Sequence, residues 1–188
     1  MQQFECLRFA IDGGIARITL NRPDAANALN LTLARELAQA ALACDNDESV
    51  KVVLLTGTGR MFCAGGDLKA FVEFGDQAGT RIKELADELH KAISLFARMP
   101  AVVVIAVNGI AAGAGFSLAV TGDYVLTAES AKFTMAYTRA GLSPDGSSTY
   151  FLPRLVGLRR TQELMLTNRT LSAQEALDWG LVTRVVSD

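Results

Sequence analysis

The sequence predicts an α/β fold, and three observations carry that prediction. Short apolar runs rich in β-branched residues recur along the chain. Helix-like amphipathic segments fall between them. Two glycine-rich seams each follow directly on a strand-like run. The chain has 188 residues and half are hydrophobic, which suits one globular domain over 1–188 with a sizeable core. It carries 18 basic and 20 acidic residues, a net charge of −2, so no basic surface for nucleic acid is expected. The three cysteines, Cys6, Cys44 and Cys63, are odd in number and lack paired spacing. They fit a reducing compartment and neither a disulfide framework nor a zinc site. A lone histidine, His90, leaves metal chemistry little to work with, so no metal is expected. The first residues show no basic patch followed by an apolar block, hence no secretory signal, and a cytoplasmic protein is expected. Ala101 to Val120 is uncharged, and about 20 apolar residues can span a bilayer. The break at Asn108-Gly109, with Gly113 and Gly115 after it, makes this run a buried strand and a helix, so no membrane partner is expected.

Taken in order, "FECLRFAIDGGIARITL" reads as a hairpin, two alternating strands around Asp12-Gly13-Gly14. "NRPDAANAL" is a loop. Asn30 then caps a helix whose apolar stripe is Leu33, Leu37 and Ala41, with Ala34 and Leu42 beside it. "VKVVLLTG" is a short buried strand, "GTGRMFCAGGDL" an irregular crossing, and "RIKELADELHKAISLFARM" a long amphipathic helix stopped by Pro100. The strand "AVVVIAV" follows, then a seam and helix, then "DYVLTAE" and "AKFTMAY" as further strand-like pieces. "STYFLPRLVG" and "LRRTQELMLTN" read as helices. Ser172 and Glu175 form a capping-box pattern that opens "AQEALDW". Gly180 closes that helix and "LVTRVV" is a last strand.

The two seams, "TGTGRMFCAGGDL" and "NGIAAGAGFSLAV", place small residues where backbone comes close to something. The second enters a helix, so its free N–H groups lie at a positive dipole end. Neither is a phosphate loop. There is no G-x-x-x-x-G-K-[ST], and Leu118 stands where a dinucleotide fingerprint needs its third glycine. One reading is that the small residues simply let a helix pack tightly on the sheet. The other is that one N–H from each seam converges on a point, as an oxyanion hole requires.

"RMFCAGGDLK", "VVVIAVNGIAAGAGFSLAVTGDY" and "LMLTNRTLSAQEALDWGLVTRVV" resemble the crotonase superfamily, the enoyl-CoA hydratase/isomerase family. Three separated blocks agree in order, from the first strand to Val186. The resemblance implies a spiral of ββα units and an acyl-CoA thioester ligand, with coenzyme A entering as part of the substrate and no separate cofactor. It implies oxyanion-hole N–H groups on Gly66 and Ala114. It implies adenine and pantetheine contacts near Ala26, Ala28, Ala64, Asp67, Leu68 and Ile110, and an acyl site that adds Gly113, Tyr137, Leu142 and Asp145. Lys69 either reaches a CoA phosphate or is a solvated surface lysine. Members of the family usually continue into a helical C-terminal module that builds trimers, often pairs of trimers. The chain stops where that module would begin, so the core is expected without it, a homotrimer or hexamer where the module is present, and self-association through an uncovered apolar patch here.

The hydratase members use two glutamates. Here those positions are Ser117 and Tyr137, and neither can act as a carboxylate acid or base, so the resemblance implies an isomerase rather than a hydratase. Asp145, in "GLSPDGSSTYF", has a bland explanation, because aspartate favours turns and helix starts. Isomerase members carry an aspartate at this position to move a proton between carbons, and those acting on ring-opened phenylacetate intermediates look nearest around "LSPDGSS". Asp145 is therefore expected to be a buried catalytic base. The competing resemblance is to 4-chlorobenzoyl-CoA dehalogenases, which place a nucleophilic aspartate there. They use tryptophan in place of Tyr137, an aromatic residue in place of Gly66, and a histidine that aligns about one helical turn from His90. His90 is accordingly read as a partly exposed helix residue. Cys63 reads as a small buried thiol and Trp179 as packing under the last helix. A third possibility is a crotonase homologue that binds CoA thioesters without turnover.

Overall fold

The computed structural model describes residues 4–188. Among the described residues, ten strands and seven α-helices alternate as the sequence predicts. The hairpin is β1 (Leu7–Asp12) and β2 (Ile15–Leu20), paired antiparallel from Leu7 against Leu20 to Asp12 against Ile15. Helix α1 (Leu31–Asn46) starts at Asn30, whose side chain accepts the Leu33 N–H at 2.8 Å. Its stripe of Leu33, Ala34, Leu37 and Ala41 is buried, whereas Leu42 is exposed and does not belong to it. One unexpected member of that buried face is Glu36, which accepts the N–H groups of Glu5 and Cys6 at 2.7 and 2.8 Å and so holds the segment that leads into β1.

From there the chain repeats one step. A longer strand joins the large sheet, a shorter one joins the small sheet, and a helix follows. The first turn is β3 (Val52–Gly57), β4 (Met61–Cys63), α2 (Leu68–Glu73) and α3 (Ala78–Phe96). The second is β5 (Val102–Val107), β6 (Ile110–Ala112) and α4 (Ala114–Ala119). The third is β7 (Tyr124–Ala128), β8 (Lys132–Thr134), α5 (Ser148–Leu155) and α6 (Leu158–Thr167). The chain closes with β9 (Leu171–Ser172), α7 (Ala173–Asp178) and β10 (Arg184–Val186). The large sheet runs β1-β2-β3-β5-β7-β10 and the small one β4-β6-β8-β9. All neighbours in the large sheet beyond the hairpin are parallel, as helical crossovers require. The expected capping box is present, with Ser172 and Glu175 each accepting from the other's backbone.

Two expectations need correction. "AVVVIAV" was expected to be a buried strand. Val103, Ile105 and Val107 are buried and Val104 and Ala106 half-buried, but Val102 is 49% exposed, so burial is complete on one face only. "GTGRMFCAGGDL" was expected to be an irregular crossing, yet it contains β4 and the start of α2, because its backbone is held in the small sheet beside β6. The buried strand residues share one core with α1 and α3 through Leu33, Leu37, Leu89 and Ile93. No helix of the described residues is long and apolar enough to cross a membrane.

Candidate functional site

The two glycine seams meet. A Cβ on Gly65 would lie 2.8 Å from the Ala112 carbonyl oxygen and 3.3 Å from the Ala114 nitrogen, so only glycine lets the loop after β4 approach the loop after β6. Gly115 answers the packing reading as well, since a Cβ there would run into the Cys63 backbone. The packing reading holds at Gly115, and Gly65 brings the two seams into backbone contact.

Gly66 forms an isolated parallel bridge with Leu29. The bonds of that bridge run from Leu29 N–H to Gly65 and from Asp67 N–H to Leu29, so the Gly66 N–H is not spent on it. Ala114 is the first residue of α4, and its N–H has no partner within the helix. The same cavity is lined by Gly66 and Ala114, and by Ala64, Leu68, Gly113, Tyr137, Leu142 and Asp145 of the expected site. It holds about 110 Å³ and is otherwise walled by apolar side chains such as Phe71, Ile82, Leu85 and Leu89. Asp145 is the one acidic residue among those lining it. Ala26, Ala28 and Asp67 line an adjoining polar groove with Lys69, and Ala64, Gly66 and Leu68 border both spaces. Ile110 borders neither; it lies in β6 beside Met61, 37% exposed. The structure therefore gathers every expected site residue except Ile110.

Asp67 has structural work of its own. Its carboxylate caps α2 at the Ala70 N–H and pairs with Arg22 at 3.0 Å, while Arg22 also donates to the Ala28 carbonyl. Arg22 escaped the sequence reading. Asp145 is the opposite case. Helix α5 is preceded by Ser147 as its N-cap, and the Asp145 carboxylate caps nothing. Its side-chain partner is His90, with Nε2 at 2.6 Å from Oδ1. A carboxylate only accepts, so Nε2 carries the proton when Asp145 is ionised. This contact was missed. The signal was present, since Ile82, Ala86 and His90 are spaced i, i+4, i+8 and the first two line the cavity. The expected burial of Asp145 is not found, because its side chain is 41% exposed and that of His90 is 42% exposed.

Ser117 and Tyr137 are both buried and face each other, Oγ to OH at 2.8 Å. Burial pushes the Tyr137 phenol up; the bond to Ser117 works against that and the Asp145 charge adds to it. Cys63 is wholly buried and its thiol is pushed up to about 12 by that burial, which leaves no thiolate nucleophile at this site. No group of three or more metal-ligating side chains occurs among the described residues.

A sequence profile of the enoyl-CoA hydratase/isomerase family matches residues 10–188. The chain belongs to that family. Its fold matches an enoyl-CoA hydratase from Bacillus anthracis, with a TM-score of 0.91 at 34% identity over 97% of this chain and 70% of that one. Among curated relatives it is 40% identical to the 1,2-epoxyphenylacetyl-CoA isomerase of Escherichia coli K12, over 95% of this chain and 68% of the relative. It is 38% identical to 4-chlorobenzoyl coenzyme A dehalogenase-2 of an Arthrobacter, over 93% of this chain and 64% of the relative. The family is thereby settled, and these names span three reactions.

Proposed function

We propose that this family member is an acyl-CoA isomerase that shifts a double bond through an enolate. The observation that carries the reading is a lone carboxylate, Asp145, on a cavity where the unspent amides of Gly66 and Ala114 also lie. A thioester oxygen accepting both N–H groups would gain negative charge as the α-carbon is acidified, and fixed donors hold that charge without reorganising. Asp145 removes a proton from one carbon and returns it to another. His90 donates to Oδ1, which leaves Oδ2 for the carbon. The polar groove past Ala26, Ala28 and Asp67 takes the CoA portion, and the apolar cavity takes the acyl group. Water addition needs one group to activate water and a second to deliver a proton. With Ser117 and Tyr137 at the other two candidate positions, this site has one carboxylate for a task that needs two.

The test is 3-enoyl-CoA conversion to 2-enoyl-CoA at constant mass, with crotonyl-CoA bound but not hydrated. Asp145→Asn keeps size and polarity but cannot take the proton. It should leave CoA-thioester affinity within a few-fold and lower kcat by roughly 10²–10⁴. Rapid hydration of crotonyl-CoA would overturn the assignment.

One observation favours a second reading, aryl-CoA dehalogenation. The 2.6 Å contact places an imidazole against the carboxylate that would attack the ring. Asp145 would bond to the halogen-bearing carbon, halide would leave, and water activated by His90 would cleave the aryl ester, regenerating the carboxylate. Chloride release from 4-chlorobenzoyl-CoA distinguishes it from isomerisation.

A further inference from the structure

We propose that Ser117 and Tyr137 form a one-way hydrogen-bonded strut that positions Asp145 through its main chain. The proposal rests on the isomerase reading. The Ser117 hydroxyl has one proton, and the Asp145 carbonyl oxygen, 2.8 Å away, can only accept it; the alternative acceptor, the Gly113 carbonyl, is at 3.4 Å. The 2.8 Å contact between Ser117 and Tyr137 therefore has Tyr137 as donor. The order is Tyr137 to Ser117 to Asp145 O. Tyr137's proton is committed away from the cavity, and burial keeps it on the phenol.

The strut acts on the root of the base and leaves its tip alone. The Asp145 carbonyl also accepts Ser148 Oγ at 2.7 Å and Ser148 N–H at 3.2 Å, so three donors hold one peptide oxygen. Gly146 then crosses directly over Ser117. Its φ is +59°, and a Cβ on it would lie 2.7 Å from Ser117 Cβ and 3.5 Å from the Tyr137 hydroxyl. Among the described residues, the hydrogen-bond partner of the carboxylate itself is His90. A base that serves two carbons of one acyl chain needs this division, with a Cα fixed through the main chain and a carboxylate whose second oxygen, left open by His90, faces the acyl chain. The two positions where the hydratase members carry their glutamates are thus occupied by a brace for Asp145.

The experiment follows 3-hexenoyl-CoA isomerisation, with acetoacetyl-CoA affinity as the binding control, in a double-mutant cycle of Ser117→Ala and Asp145→Asn. Ser117→Ala should lower kcat by roughly tenfold to a hundredfold, the cost of a misplaced catalytic group. Affinity for acetoacetyl-CoA should stay within about threefold, and in the Asp145→Asn background the Ser117→Ala loss should shrink below about twofold. A merely structural serine would depress the residual rate and the affinity equally in both backgrounds, and that result overturns the strut. Ser117→Cys, which keeps a weak donor, should recover part of the rate. Tyr137→Phe leaves the Ser117 hydroxyl on Asp145 and keeps the test available if Ser117→Ala does not fold. It should cost less than about tenfold, and a loss as deep as that of Asp145→Asn would make Tyr137 the proton carrier and end the proposal. If Asp145→Asn keeps the wild-type rate, the isomerase reading fails, a result distinct from a cycle in which only the coupling is missing.

Discussion

His90 changes how the site is understood at the scale of single residues. An imidazole N–H on one carboxylate oxygen orients the other, so its effect on a base is to aim it. The two candidate reactions place different demands on that ring, and removing it separates them. If Asp145 shuttles a proton, His90→Ala should lower isomerase kcat by about tenfold, the rate equivalent of one ordinary hydrogen bond, and no covalent species should form. If Asp145 is a nucleophile, His90→Ala leaves the aryl ester without its base. The ester should then accumulate on Asp145 and be visible by intact-protein mass. His90→Gln, which keeps a donor, should recover most of the isomerase rate and none of the ester hydrolysis.

At the scale of elements, the site depends on how closely β4 and α4 approach. Both are short, three and six residues, and neither would hold its shape alone. Their geometry comes from backbone contact across Gly65 and Gly115. Gly115→Ala would push a Cβ to 2.7 Å from the Cys63 Cβ and into the Cys63 carbonyl, in a region with no slack. It should destabilise the protein by about 1–3 kcal/mol in urea unfolding and weaken catalysis with it, because the Ala114 amide moves with α4. Gly79, inside α3, is the contrasting case. An added Cβ meets nothing within 4 Å and its φ is not positive, so Gly79→Ala should stabilise by about 0.5–1 kcal/mol through helix propensity. Opposite signs for one chemical change in one protein would show that the seam glycines are required by space and not by composition.

At the scale of the whole molecule, the two sheets share one continuous core, with Phe62 of β4 and Phe133 of β8 buried in the same cluster as Ile18 of β2 and Ile105 of β5. A chain that steps between two sheets at every turn cannot lose one and keep the other. Thermal or urea unfolding should therefore be a single transition, reported identically by far-ultraviolet circular dichroism and by Trp179 fluorescence. Trp179 suits this purpose because it lies after the last helix, with the Arg160 and Arg169 guanidiniums 4.7 and 5.1 Å from its ring, far along the chain from the hairpin. Two separated transitions would divide the chain into more than the single unit expected over 1–188.

The sequence by itself determined the alternation of strands and helices and the caps at Asn30 and Ser172, and its motifs pointed to the family and, through it, to Asp145 as the candidate acid. These are legible because they rest on local periodicity, on capping chemistry a few residues long, and on contiguous motifs. It also showed what was missing, since a serine and a tyrosine cannot do the work of glutamates. Only the tertiary structure decided which groups those residues touch. His90 reaches Asp145 across 55 residues and Ser117 reaches it across 28. Contacts of that span leave no periodic trace, because they depend on where two elements pack and not on what either would form alone. Packing likewise decided that Asp145 stays half open rather than buried, that Leu42 points outward, and that Ile110 lies away from the cavity. A residue's type limits the chemistry it can perform; its neighbours, brought in by the fold, select which part of that chemistry is used.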